Sequence, residues 1–269
     1  MNATLHPATQ PSLFIPHGGG PCFFMPDPSG TWRRMGDYLR GLAATLPEKP
    51  RAILVVSGHW EERAFAFTGA AQHPGLIFDY YGFPPETYQL AWPAPGAPWL
   101  AERGSALLRE AGLPTAIDPQ RGFDHGVFVP LKVMFPDAEV PVVQMSLHAS
   151  LDPALHVAAG EALAPLREEG VLVLGSGMSF HNLRAMGDPR VAEPSGEFDR
   201  WLASAAEDGP AERAEQLGRW ADAPWARLCH PREEHLLPLM VAAGASRERG
   251  SHDFTDMVLG GAVSAFRFA

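Results

Sequence analysis

The chain has 269 residues, 46% of them hydrophobic and 19% charged, enough for one large α/β domain or two smaller ones. A net charge of -10 excludes a nucleic-acid partner, which needs a basic face. Two cysteines, Cys22 and Cys229, exclude a disulfide framework and a CxxC zinc module.

The opening stretch MNATLHPATQPS has neither a basic nor an apolar run, so it is no secretory signal and reads as a flexible terminus over 1–12. SLFIP (12–16) reads as a buried strand. It runs into His17 and three glycines, Gly18, Gly19 and Gly20. Over 31–46, Trp32, Met35, Leu39, Leu42 and Leu46 recur at three- and four-residue spacing, which predicts a helix capped by Ser29 or Thr31. RAILVVS (51–57) is a strand, and AFAFTGA (64–70) alternates like another. The stretch 79–98, DYYGFPPETYQLAWPAPGAP, is irregular and rich in proline and aromatic residues, the mark of a functional loop. A helix follows over 98–111, then the strand VPVVQMSL (140–147), a helix over 153–169 and the strand GVLVLGSG (170–177). Further helices are expected over 196–207, 211–220 and about 232–243. DMVLGGAVSAFRFA (256–269) reads as two short strands around Gly260 and Gly261.

Apolar strands alternating with helices indicate a mostly parallel sheet covered on both faces. No linker or internal repeat interrupts it, so a single domain over 1–269 is expected. The longest apolar runs, AILVV and VLVL, are too short to span a bilayer, so no membrane partner is expected. The cysteine usage and the terminus fit a reduced, cytoplasmic setting. A homo-oligomer is compatible with all of this.

Three times an apolar strand is followed, within a few residues, by glycine and then histidine: His17, His59 and His181. Ligands of open α/β sheets bind beyond the carboxyl ends of the strands, so these histidines are expected to converge. Imidazole is the commonest metal ligand and a proton shuttle near neutral pH. His235, in REEHLLPL at a helix start, and His125, in RGFDHG, are further candidates. Asp124 beside His125 is a candidate for fixing a histidine tautomer. His6, His73, His148, His156, His230 and His252 look like loop, helix or surface residues, and Cys22 like a packed thiol.

HGGG also builds oxyanion holes in serine esterases, but the chain has no G-x-S-x-G nucleophile elbow. A binding module without catalysis leaves the strand-end histidines unexplained.

Taken in order, PHGGGP, VVSGHW, GFDHG, SGMSFHNL and EEHLLPL resemble the class III extradiol ring-cleavage dioxygenases, in particular the 4,5-DOPA dioxygenase extradiol branch. The match runs from about Leu13 to the end of the chain. The resemblance implies a single three-layer αβα domain with a central mostly parallel sheet. It implies one divalent metal at the strand ends, and dioxygen insertion into a catechol. It makes His17, His59 and His235 metal ligands, and His125 and His181 acid/base and substrate-contacting residues. In some members the histidine matching His181 counts as a fourth ligand. Iron(II) would serve catalysis, whereas an all-histidine set suits zinc(II); Glu233 and Glu234 adjoin the third ligand. Tyr80, Tyr81, Phe83 and Trp92 would wall the pocket. Arg121, Arg184 and Arg232 are candidate partners for a substrate carboxylate. The alternative for the same histidines is a zinc-dependent hydrolase acting through a metal-bound water, or a non-catalytic protein that binds a metal or ligand.

Overall fold

The computed structural model describes residues 7–69 and 74–269. His6, His73, Ala70 and the first six residues of the expected flexible terminus lie outside these. The chain runs β1 (Ser12–Pro16), α1 (Arg33–Leu42), β2 (Ala52–Glu62), β3 (Phe65–Thr68), α2 (Pro98–Glu110), β4 (Thr115–Asp118), α3 (His125–Met134) and β5 (Val142–His148). It continues through α4 (Pro153–Leu163), α5 (Pro165–Glu168), β6 (Val171–Gly177), α6 (Ala192–Glu207), α7 (Pro210–Gly218), α8 (Ala226–Cys229), α9 (Leu237–Gly244), β7 (Gly250–Val258) and β8 (Gly261–Phe268).

One eight-stranded sheet orders them β4-β3-β5-β2-β6-β1-β8-β7. The middle four, β5-β2-β6-β1, are parallel, so their carboxyl ends share one edge. β3 joins β5 antiparallel, and the β7–β8 hairpin joins β1 antiparallel. Leu13, Ile15, Leu54, Val56, Leu172 and Leu174 in the middle strands are fully buried, as expected for strands covered on both faces.

Side chains along β6 show the layering. Ser176 hydrogen-bonds the carbonyl of Gly126 in α3. On either side of it, Gly175 and Gly177 lie against the backbone of Pro238 and His235. Successive strand residues point to opposite faces, so α3 and the segment entering α9 cover opposite sides of the sheet. The sheet is the middle layer of three.

Several elements differ from the sequence reading. α3 is absent from it: Gly126, the β-branched Val127, Val129 and Val133, and Pro130 inside the helix all weaken its local signal. β4 is a short, half-exposed edge strand with little apolar patterning. Pro165 divides the helix expected over 153–169 into α4 and α5. The helix expected from about 232 starts only at Leu237, with Pro238 in its first turn, so His235 sits in a turn ahead of it. The last two strands are longer than expected and begin at Gly250.

The approach of the His235 segment to β6 gives a direct test. A Cβ on Gly177 would run into the carbonyl oxygen of His235, which is backbone and cannot swing away. Gly177→Ala should therefore destabilise the fold by about 1–3 kcal/mol or more, as overpacking does. Denaturant unfolding of the two proteins measures it; equal midpoints would mean the two segments are not in contact.

Candidate metal centre

Five histidines meet at the carboxyl edge of the sheet. His17 directly follows β1, and its N–H continues the ladder to the carbonyl of Gly177 at 3.1 Å. The chain then turns through Gly18 and Gly20 at φ +82° and +53°, a region open to glycine. His59 lies within β2, where a register shift against β5 between Val56 and Glu61 marks a bulge around it. Gly58 beside it lets the 234–235 backbone come close: a Cβ there would stand 2.9 Å from the Glu234 carbonyl. His125 opens α3. His181 follows β6, its N–H bonded to the Cys229 carbonyl at 3.0 Å. The His235 carbonyl accepts from Met178 N–H at 3.0 Å, which ties the turn before α9 to the end of β6.

The rings are aimed. His59 Nε2 stands 3.3 Å from His17 Nε2 and 3.2 Å from His235 Nε2. The other ring nitrogen of each faces an acceptor: His17 Nδ1 the Gly18 carbonyl at 2.9 Å, His235 Nδ1 a Glu234 oxygen at 3.0 Å, His59 Nδ1 an Asp79 oxygen at 3.3 Å. The Gly18 carbonyl and the Glu234 carboxylate cannot donate, so they assign the proton to Nδ1 in His17 and His235; the Asp79 carboxylate lies on the same side of His59 at ion-pair distance. His59 Nε2 thus faces both His17 and His235, and two adjoining donor groups lie within 4.8 Å among the described residues, His17–His59–His125 and His181–Glu234–His235. The donor set fits a divalent metal. Burial pushes the pKa of His17 and His59 well below the ordinary histidine value, and the neighbouring histidines add to it. Burial brings His235 down to about 4 despite the opposing pull of Glu234. All three are neutral near pH 7, the form a metal binds.

His125 and His181 flank the three. His125 donates Nδ1–H to Asp79 at 2.7 Å, and its ring lies 4.0 Å from that of His59. His181 Nδ1 is 3.2 Å from Glu234, and its ring stacks on His235 at 3.4 Å. Neither Nε2 has a hydrogen-bond partner among the described residues, and His125 offers a ring nitrogen within 4.8 Å of His17 and His59. Burial alone would raise the pKa of Glu234 and Asp79, but histidine hydrogen bonds outweigh it and hold both below the usual carboxylate range.

The matched family is the catalytic LigB subunit of aromatic ring-opening dioxygenase, over residues 14–266. The chain belongs to this family. It is an oxidoreductase fold built for extradiol ring cleavage at a histidine metal site. The chain is 39% identical over 276 residues to dioxygenase tasH of Hapsidospora irregularis, covering 93% of this chain and 82% of that one. It is 43% identical over 208 residues to the 4,5-DOPA dioxygenase extradiol of Portulaca grandiflora, covering 76% and 75%. A crystal structure of an uncharacterized protein from Escherichia coli K12 superposes with a TM-score of 0.77 at 30% identity, over 97% of this chain and 100% of that one. No helix among the described residues is long and apolar enough to cross a membrane.

Sequence pattern alone does not mark Asp79 or Glu234 as site residues. Asp79 is the first residue of the irregular loop, and Glu234 adjoins a candidate ligand; a carboxylate in either place was the available signal. Asp124 does not orient a histidine. Its carboxylate takes Ser57 Oγ at 2.8 Å, Arg121 at 3.2 Å and Gln144, and no imidazole among the described residues. The expected aromatic wall is partly corrected. Tyr80 packs 5.7 Å from His125, and Phe83 5.4 Å from Tyr80. Tyr81 is exposed, and Trp92 is buried in the core with its indole N–H on the Phe135 carbonyl at 2.9 Å. Arg121 is engaged by Asp124, Arg232 by both oxygens of Glu61 at 2.6 Å, and Arg184 lies on an exposed turn. Cys22 is packed beneath the glycine turn, and burial pushes its thiol up to about 12.

The remaining described histidines stand apart. His148 bonds Ser150, His252 bonds Ser264, and the buried His230 bonds the Ser179 carbonyl. His156 is a satisfied core residue: Nδ1 donates to the Asp152 carbonyl at 2.6 Å and Nε2 accepts from His148 N–H at 3.1 Å. Burial lowers its pKa to about 4. The unfolded chain therefore takes up a proton on this ring between pH 6.5 and 4 that the folded chain refuses. Its contribution to stability is constant above pH 6.5 and falls on acidification through that window, by on the order of 3 kcal/mol in all. His156→Gln should flatten this part of the stability–pH curve, measured by urea unfolding from about pH 4 to 7. An unchanged slope would remove His156 as its source.

Proposed function

We propose that the protein opens the ring of a catechol, a DOPA-like compound or a relative of it, with dioxygen and one bound divalent metal. The observation that carries this reading is His59 Nε2 facing the Nε2 atoms of both His17 and His235, each ring having a carbonyl or carboxylate oxygen near its Nδ1. His17, His59 and His235 would hold the metal. Bound iron(II) would supply open coordination positions and the redox capacity that dioxygen chemistry requires; zinc lacks the second. The relatives named 4,5-DOPA dioxygenase extradiol support a catechol as substrate.

The chain's own residues divide the remaining work. His125, fixed through Nδ1 by Asp79, presents Nε2 to accept a hydroxyl proton as a catechol binds. His181, fixed by Glu234, presents Nε2 on the other side of the site for a second proton transfer. Tyr80 and Phe83 offer aromatic faces beside His125 for a planar ring. Cleavage places both oxygen atoms of dioxygen in the product, so the site must hold protons in place rather than deliver water.

Alanine at His17, His59 or His235 should abolish stoichiometric metal binding in elemental analysis, while alanine at His125 or His181 should leave it intact. The latter two should lose about 10²-fold or more in turnover and keep the wild-type melting temperature. Near wild-type rates in either would remove that residue from proton transfer.

The test of the reaction itself is direct. The metal is stripped, iron(II) is loaded anaerobically, and a panel of catechols and oxygen is added. One dioxygen should be consumed per ring with a yellow semialdehyde as product, and the zinc-loaded form should be inert. An iron form that takes up no oxygen with any catechol sinks the reading, and zinc-dependent hydrolysis through a metal-bound water then leads.

A further inference from the structure

We infer that Asp79 is a positioning residue that anchors a metal-holding histidine and a proton-transferring histidine with one carboxylate. This rests on the proposed metal site. Asp79 Oδ2 lies 3.3 Å from His59 Nδ1, and Oδ1 lies 2.7 Å from His125 Nδ1. Oδ1 also accepts the backbone N–H of His125 at 3.0 Å. That N–H belongs to the first residue of α3. The residue in the cap position, Asp124, makes no capping bond, because its side chain is turned in to Ser57 and Gln144. Asp79 therefore caps α3 from 46 residues away, and places its negative charge where the helix start favours one.

The geometry makes the anchoring specific. The His125 ring hydrogen-bonds Oδ1, and the His59 ring lies at ion-pair distance from Oδ2, so in this geometry each ring has its own carboxylate oxygen. An asparagine has one acceptor oxygen and one NH₂ donor. Placed here, its NH₂ would face an imidazole N–H, and that ring would have to turn or move its proton to Nε2. For His59 this blocks the nitrogen aimed at the metal. For His125 it fills the nitrogen that must accept a proton. Asp79 is also the first residue of the loop that carries Tyr80 and Phe83, so the same carboxylate seats the aromatic wall beside the rings. Glu234 also touches two rings, His235 and His181, but through the single oxygen Oε1, so the one-oxygen-per-ring arrangement belongs to Asp79.

The experiment uses the zinc-loaded full chain with ¹⁵N-labelled histidine. Long-range ¹⁵N–¹H spectra report which ring nitrogen carries the proton, and chelator competition gives the zinc affinity. In the wild type, His59 and His125 should both carry the proton on Nδ1. Asp79→Asn should weaken zinc binding about 10–100-fold and remove the Nδ1–H form from at least one of the two rings. Asp79→Glu, which keeps two acceptor oxygens, should recover part of both. Wild-type zinc affinity in Asp79→Asn with both tautomers unchanged overturns the inference, and so does an Nε2–H proton on either ring of the wild type. The second measurement needs no variant, so it decides the matter even if Asp79→Asn fails to fold. Neither measurement uses a catechol or oxygen. An enzyme inert toward catechols would sink the proposed reaction and leave this result standing, and a wild type that holds no zinc would sink the metal reading while the His125 tautomer still tests the anchor.

Discussion

Bringing three imidazoles nitrogen to nitrogen is unfavourable, and the carboxyl edge of this sheet is organised around that cost. Neutral rings with inward lone pairs do not attract one another, and burial removes the water that would otherwise bond them. They stay in place because each is held from behind, by the Gly18 carbonyl, by Asp79 and by Glu234. Donors held from behind in this way would give up little freedom on binding a cation.

Close backbone approach is what lets elements so far apart in sequence meet. Gly58, Gly175 and Gly177 lie where the 234–238 segment rests on β2 and β6, and a side chain at any of them would hold that segment away. Gly18 and Gly20 bend the chain after β1 so that Phe23 and Phe83 close over the turn. The glycines around the histidines thus serve two purposes: some allow left-handed backbone, and others simply make room.

The middle of the sheet was legible in the chain because its strands are unbroken apolar runs, SLFIP and VLVLGSG among them, and a run buried on both faces needs no partner to be recognised. The convergence of His17, His59 and His181 followed from parallel strands alone. What local pattern could not reveal depended on tertiary contacts. α3 forms despite Gly126 and Pro130 because Val127, Phe128 and Leu131 are buried and Asp79 caps it from elsewhere. Asp124 looked like the carboxylate for His125 because it is adjacent, yet helix geometry points it at Ser57 while a distant loop supplies the acceptor. Trp92 resembled a pocket residue by composition and is a core residue by packing.

β1 lies between β6 and β8, so the strand that delivers His17 is flanked on one side by the last strand of the chain. The proposed site takes His17 from one end of this sequence and His235 from near the other. During synthesis the first histidine emerges long before its partners, and no partial chain can gather the set. On that assignment, metal loading would follow the meeting of β1 with the 234–238 segment. A nascent chain offers scattered imidazoles that hold an ion weakly, whereas the completed sheet offers all of them at once. An ion bound in this way would favour the folded state over every intermediate, so metal supply would act on how much of the protein persists.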